Sequence, residues 1–359
     1  MAQEKTTSAT KRILVDMSRL GKNEFNGLYI YSYHLGLCLY NKPPENADLY
    51  FYLPKRLFGF FGNAVKYISQ HSLNKFFHLK AMGFDIWHST TTISWYMPTD
   101  KKTKFLFTLH DLNFLIECPE NEKSNQRYLK LVQNRIDRAD HLIAISEFSL
   151  KQAQQYLKLG NKPTTVIYNG CTYMTSPPLE KEPVHVPTAP FLFSIGLVQK
   201  RKNFHTIIPL LQNNNYKYII AGKDEFEYKQ AILEEAEKYN VADRVVFTGP
   251  ISEEEKAWYY SHCTAFMFPS FAEGFGLPVV EAMYFGKPVF ISNETSLPEV
   301  GGDAAYYFLS FDADDMVKVF TDGMAHYQET NPQERIKEQA GKFSFEKAAA
   351  AITDIYESL

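Results

Sequence analysis

Two carboxylates, Glu273 and Glu281, stand with seven residues between them in the phrase FPSFAEGFGLPVVEAMYFGKPV, residues 268–289. Gly274, Gly276 and Pro278 lie between them. Physically this is a loop, then a helix start, with an acid at each end of an anion site. Pro278 suits the first helical position, where a missing N–H costs little. The amides of Gly274, Phe275, Gly276 and Leu277 then precede a helix N-terminus, a place suited to a phosphate or a developing negative charge. Glu281 falls about one turn into that helix, and Gly286 suits its stop. An ordinary strand–loop–helix joint with water-facing glutamates is the plain alternative for either acid alone. The rest of the chain tips the balance.

The strand FLFSIG ends at Gly196 and runs into LVQKRKNFHTII. Lys200, Arg201 and Lys202 therefore sit at a strand's carboxyl end, where three cations suit a diphosphate. A solvated basic loop is the alternative there. KFLFTLHD ends in His110 and Asp111, and Asp111 is placed to orient the imidazole or to cap the next segment. His88, in DIWHST, also ends a strand, with packing as its rival role. VVFTGPISEEE puts a tight turn at Gly249–Pro250, then Ile251, then a capping box at Ser252–Glu255. Ser146 reads as a helix cap. Gly27 opens a helix bearing Tyr29, Tyr31 and Tyr33, and Arg19 and Lys22 before it are cations suited to an anion.

These groups need strands to carry them. Short β-branched and aromatic runs alternate with amphipathic stretches, the pattern of parallel sheets with helical crossovers. Strands are expected at Arg12–Asp16, Leu49–Leu53, Asp85–His88, Phe105–Leu109, Leu142–Ile145 and Thr165–Tyr168. A second set is expected at Phe191–Ile195, Tyr218–Ala221, Val245–Thr248, Ala265–Phe268, Val289–Ile291 and Ala305–Phe308. Residues 175–190 hold five prolines and read as a linker. The fold class expected is α/β, with two doubly wound Rossmann-like domains facing across a cleft at the carboxyl ends of their strands. The divisions are 1–174, the linker 175–190, 191–343, and a terminal helix within 344–359.

At 359 residues the chain suits two domains rather than one core. It has no apolar run of about 18 residues, so no membrane span is expected. The polar start MAQEKTTSATKR lacks an apolar stretch and reads as a frayed tail, not a secretory signal. Cys38, Cys118, Cys171 and Cys263 are widely spaced and read as free thiols in a reducing, cytoplasmic compartment. Neither an Asp-x-Asp metal motif nor a His/Asp cluster at metal-ligand spacing is expected in this chain, so no metal and no cofactor are expected. Residues 1–180 carry 22 Lys+Arg against 15 Asp+Glu, and residues 181–359 carry 16 against 26. The basic first half suggests an anionic partner: a phospholipid headgroup, a lipid-linked diphosphate or a phosphorylated saccharide. Nucleic acid is disfavoured, since no nucleic-acid motif appears. Residues 55–80 mix cations with Phe and Tyr. They read either as a surface resting on an anionic membrane at its inner face or as a solvated helix hairpin with its aromatics turned inward.

The 268–289 phrase, the strand–RKN–helix spacing, TLHD and HLIAISEFS together resemble glycosyltransferase family 4, the retaining sugar transferases with the GT-B architecture. The resemblance extends over most of the chain. It implies that Glu281 holds the donor ribose hydroxyls and Glu273 the transferred sugar's hydroxyls. The Gly274, Phe275, Gly276 and Leu277 amides would face the diphosphate or the sugar. Lys202 aligns with the lysine that holds the donor phosphates, with Arg201 second. Many members also carry an arginine directly after the strand's glycine, where this chain has Leu197. His110 would approach the donor sugar's C6 hydroxyl or the reacting centre, and Ile251 the nucleobase. Gly27 would lie near the phosphates, although the SRLGKNEF loop before it replaces the family's glycine-rich turn. The terminal helix would cross back to the first domain. The activity implied is metal-independent hexosyl transfer with retention. The donor would be a nucleotide sugar, GDP-mannose first and a UDP-hexose second. The acceptor would be a saccharide or lipid-linked saccharide of surface glycan synthesis, such as lipopolysaccharide or O-antigen. Rival readings are another GT-B enzyme, such as a nucleotide-sugar epimerase or a phosphorylase, and a non-catalytic nucleotide-sugar-binding protein.

Overall fold

Thirteen strands of the described residues form two sheets, and their pairings are parallel. Parallel neighbours need a crossover at each return, which the amphipathic stretches supply. The computed structural model describes residues 10–21, 27–70, 83–94, 96–171, 173 and 180–359. The chain divides into two units. One takes Met1–Leu112, Cys118–Tyr168 and Phe345–Leu359; the other takes Asn113–Glu117 and Asn169–Ser344.

The first unit holds β1 (Lys11–Asp16), β2 (Ala47–Leu53), β3 (Lys66–Ser69), β4 (Ile86–Ser89), β5 (Lys104–Leu109), β6 (His141–Ala144) and β7 (Thr164–Val166). Their order is β3-β2-β1-β4-β5-β6-β7. Winding therefore reverses between β1 and β4, where Asp16 pairs with Ser89. Ile13, Val15, Phe51 and Leu53 build the core with Leu35 and Leu39 of the helix Gly27–Asn41. Phe345, Ile352 and Tyr356 of the terminal helix, Phe345–Ser358, join the same core. Lys11 Nζ donates to the last carbonyls of that helix, Tyr356 O at 3.1 Å and Glu357 O at 3.0 Å. A cation there complements the helix's negative end.

One element differs from expectation. Within residues 55–80, the helix-hairpin alternative is wrong: Lys55–Leu57 is a 3-10 turn, and Lys66–Ser69 is the edge strand β3. Residues 71–80 lie outside the described residues, as do Lys22 and residues 175–179 of the proline-rich stretch. KYIS is too short to show a period. Docking on β2 decides its conformation, with Tyr50 opposite Lys66 and the Tyr67 hydroxyl donating to Gly62 O at 2.7 Å.

The second unit holds β8 (Phe191–Ile195), β9 (Lys217–Ala221), β10 (Val245–Gly249), β11 (Ala265–Phe268), β12 (Val289–Ser292) and β13 (Tyr306–Phe308), in the order β10-β9-β8-β11-β12-β13. Here winding reverses between β8 and β11. In doubly wound sheets ligands bind outside the strand carboxyl ends at such a reversal. The helix Leu277–Tyr284 starts one residue earlier than expected, so Pro278 is its second residue and Gly276 its N-cap. Its end is sharp. Gly286 N–H donates to Met283 O and Lys287 N–H to Ala282 O, with Gly286 at φ 69°. This is a Schellman stop, and its left-handed residue is the expected glycine. No helix of the described residues is long and apolar enough to cross a membrane.

Candidate functional site

The loops after β8 and β11 leave adjacent strands at the reversal, so Lys202 and Glu273 meet although 71 residues separate them. Lys202 is buried, and its Nζ lies 2.6 Å from Glu273 Oε1. Its ammonium also stands over the Phe268 ring, 4.5 Å from the centroid, at the end of β11. Gly196 makes room for the lysine stem: a Cβ there would lie 3.1 Å from Lys202 Cε. Arg201 Nη1 reaches the same Glu273 oxygen at 3.1 Å and donates to Ala272 O at 2.8 Å, while its Nε pairs with Glu117 at 3.4 Å. Ser270 Oγ donates to Glu273 Oε1 at 2.5 Å. Three donors thus converge on Oε1, and none from the described residues reaches Oε2.

Burial pulls the Lys202 ammonium down to about 8, against the opposing attraction of Glu273. Burial would raise Glu273, but Lys202 and Arg201 outweigh it and hold the carboxyl at about 2. Both groups are therefore charged at neutral pH. The loop that carries Glu273 is pinned from the segment after β12. Glu273 N–H donates to Thr295 Oγ1 at 3.1 Å, and Ser296 Oγ donates to Glu273 O and Phe275 O at 3.0 and 2.9 Å. Thr295 adopts φ 54°, which a β-branched residue rarely does. Backbone strain of this kind persists where the surroundings over-determine it.

Gly274, Phe275, Gly276 and Leu277 form the turn into the Leu277–Tyr284 helix. The side chains of Phe275 and Leu277 are buried, so what this turn offers a ligand is main chain. Glu281, in the second turn, is buried too. Lys256 Nζ lies 3.0 Å from its Oε1, and the Tyr260 hydroxyl donates to its Oε2 at 3.0 Å. Ile251 lies half-buried after β10, directly before the helix Glu253–His262, whose Ser252–Glu255 capping box is formed. The sequence also contains an Asp-x-Asp triplet, Asp312–Asp314, that the reading for metal ligands passed over. It forms the N-cap and first turn of the helix Ala313–Thr330, where acids complement the helix's positive end.

His110 and Gly27 belong to the first unit. His110 is buried at the end of β5, and its Nε2 lies 2.8 Å from Thr90 O. A carbonyl only accepts, so Nε2 carries the hydrogen and Nδ1 is left as an acceptor. The Tyr31 ring meets the imidazole edge-on at 4.8 Å. Burial pushes His110 down to about 4, so the ring is neutral at physiological pH. His88 is structural: Nδ1 lies 2.6 Å from the Tyr356 hydroxyl and Nε2 2.8 Å from Thr108 Oγ1. Arg19 Nη2 donates to Ile93 O at 2.9 Å, beside the buried Asp16. Gly27 is exposed at the start of its helix. Ser146 caps the helix Glu147–Tyr156 by accepting from Ser149 N–H.

Sequence reading missed Ser270, Thr295, Ser296, Lys256 and Tyr260. For the first three, no local signal marks the contact. The last two carry a faint one: a lysine one turn ahead of a tyrosine shares its helix face.

A parallel sheet with charged groups gathered at its winding reversal defines a Rossmann-like α/β protein with a site for a polar ligand. Residues 177–343 match the family described as "Glycosyl transferases group 1", and residues 36–172 match "Glycosyltransferase Family 4". The O-antigen chain mannosyltransferase B of Escherichia coli is 28% identical over 287 residues, 74% of this chain and 73% of that protein. The serotype-specific mannosyltransferase WbdA of Escherichia coli is 28% identical over 272 residues, 68% of this chain but only 32% of WbdA. The chain thus spans about a third of that relative's length. Among solved structures, Anabaena Alr3699/HepE in complex with UDP and glucose matches with a TM-score of 0.72. It is 18% identical and the match covers 98% of this chain and 100% of that one, a likeness of fold. The chain belongs to glycosyltransferase family 4, and its two Rossmann-like units are those of a GT-B glycosyltransferase.

Proposed function

We propose that this glycosyltransferase moves a hexose from a nucleotide sugar, with retention and without a metal ion, to a saccharide or lipid-linked saccharide acceptor in surface glycan synthesis. The observation that carries the reading is the Glu273 carboxylate. One oxygen is gripped by Lys202, Arg201 and Ser270, and no donor from the described residues takes the other. An arriving diphosphate competes for the two cations, which are already desolvated and aimed. Charge developing on the leaving phosphate is then met by groups that need no reorganisation. Glu273 Oε2 accepts from hydroxyls of the transferred sugar, and Glu281 accepts from the donor ribose. The acceptor hydroxyl attacks the anomeric carbon on the face from which the phosphate departs, through an oxocarbenium-like state. The departing phosphate oxygen takes the acceptor's proton. His110, neutral and with Nδ1 as acceptor, suits a hydroxyl and not an anion.

The mannosyltransferase names of the relatives favour GDP-mannose as donor, and the UDP complex of the Anabaena protein makes UDP-hexoses the next choice. Exposed Lys55 and Arg56 beside exposed Phe58 and Phe60 support peripheral contact with an anionic membrane at its cytoplasmic face, where a lipid-linked acceptor would lie. The test is a thermal-shift panel of UDP, GDP and ADP with their sugars, followed by transfer assays with and without EDTA. The expected result is stabilisation by one nucleotide family and transfer that survives EDTA. Absence of binding by every nucleotide would sink the reading. Epimerised nucleotide sugar formed without acceptor would point to an epimerase instead.

A further inference from the structure

The helix Glu253–His262 carries a lysine on its buried face. Lys256 and Tyr260, one turn apart, are both buried and both turn to the same carboxylate, Glu281. Lys256 Nζ takes Oε1 at 3.0 Å and the Tyr260 hydroxyl takes Oε2 at 3.0 Å. Glu253 Oε2 backs the ammonium at 2.8 Å from the exposed side, and the Tyr173 ring lies across it, 5.3 Å from Nζ to centroid. The ammonium is therefore enclosed by two carboxylates and an aromatic face.

A buried lysine–carboxylate pair is weak as a source of stability, because desolvating both charges offsets most of their attraction. What this one does is geometric. Donors on both oxygens, Lys256 Nζ on Oε1 and the Tyr260 hydroxyl on Oε2, fix the plane of the carboxylate. We propose that Lys256 is a positioning residue: with Tyr260 it sets the plane of Glu281 so that this carboxylate can receive the donor's ribose hydroxyls. This rests on the reading of Glu281 as the ribose holder. Lys256 acts through Glu281 and does not itself touch the nucleotide.

The test is isothermal titration of the full chain with UDP, GDP and their 2′-deoxy forms. The proteins compared are wild type, Lys256→Met, Glu281→Gln and the double variant, with thermal unfolding of each as the folding control. Wild type should prefer the ribo form by about tenfold or more, the scale of a hydrogen bond to a charged group. Lys256→Met should lose most of that preference. In the Glu281→Gln background, Lys256→Met should cause no further loss. If Lys256→Met alone fails to fold, the double variant, which leaves no unpaired buried charge, is compared with Glu281→Gln and decides the matter. A wild-type preference retained in Lys256→Met, or a full additional loss in the double variant, overturns the positioning role while leaving the donor reading intact. A wild type that binds neither UDP nor GDP overturns both.

Discussion

Raising the pH should weaken the donor site through one group, Lys202. Burial brings its ammonium down to about 8 while Glu273 stays a carboxylate from about 2 upward. At pH 7 about nine-tenths of Lys202 is charged, at pH 9 about one-tenth. Loss of that proton leaves the diphosphate with Arg201, which is itself shared between Glu273 and Glu117. The competent form is the protonated one, so kcat/KM is nearly full at about pH 7, halved near pH 8, and approaches a tenfold fall per unit above about pH 9. Lys202→Met removes the cation at every pH and keeps a stem to pack over Phe268. Loss of one preorganised charge stabiliser costs on the order of 10²–10³ in rate, and the residual rate should be flat from pH 7 to 9.5. The assay is initial-rate sugar transfer at subsaturating donor over that range, with thermal unfolding checked at each pH. If Lys202→Met keeps the wild-type alkaline limb, or turns over within twofold of wild type, the placement of Lys202 on the leaving phosphate is refuted.

Two further outcomes follow from buried groups. His88 and His110 are held by burial at about 3 and about 4, below the imidazole's ordinary 6.5, so the unfolded chain binds their protons first. Their contribution to stability is complete above about pH 6.5 and is lost as pH falls toward 4, by about 1.4 kcal/mol per pH unit for each ring. Urea midpoints followed by fluorescence at pH 7 and pH 5 should differ accordingly, and equal midpoints would contradict it. Gly286→Ala forces a methyl group into φ 69° and to within 3.0 Å of Lys337 Cε. The left-handed penalty is about 1–2 kcal/mol, read as a lower thermal midpoint; an unchanged midpoint would show that the helix end can rearrange.

Most of the strands were legible because each is a short apolar run bounded by turn residues, a signal contained in the run itself. The caps at Ser146 and Ser252 and the stop at Gly286 were legible for the same reason: their hydrogen bonds close within a few residues. β3 was not, because four residues carry no period and only docking on β2 makes KYIS a strand. Pairing His88 with Tyr356 across 268 residues was equally out of reach, and it converts a strand-end histidine into a structural link to the terminal helix.

The sequence by itself determined the class of protein: two runs of strand and crossover, a lysine-rich loop after one strand, and two glutamates flanking a glycine-rich helix start. All of these are local patterns whose physics acts over a turn or a strand. Only the tertiary structure decided which of these groups meet. It put Lys202, Arg201 and Ser270 on a single oxygen of Glu273. It also set Lys256 and Tyr260 on Glu281, and it fixed the His110 tautomer through the Thr90 carbonyl. The physical reason is sheet order. A winding reversal brings loops dozens of residues apart to one edge, and no pattern along the chain records which side chains burial will then force to share a partner.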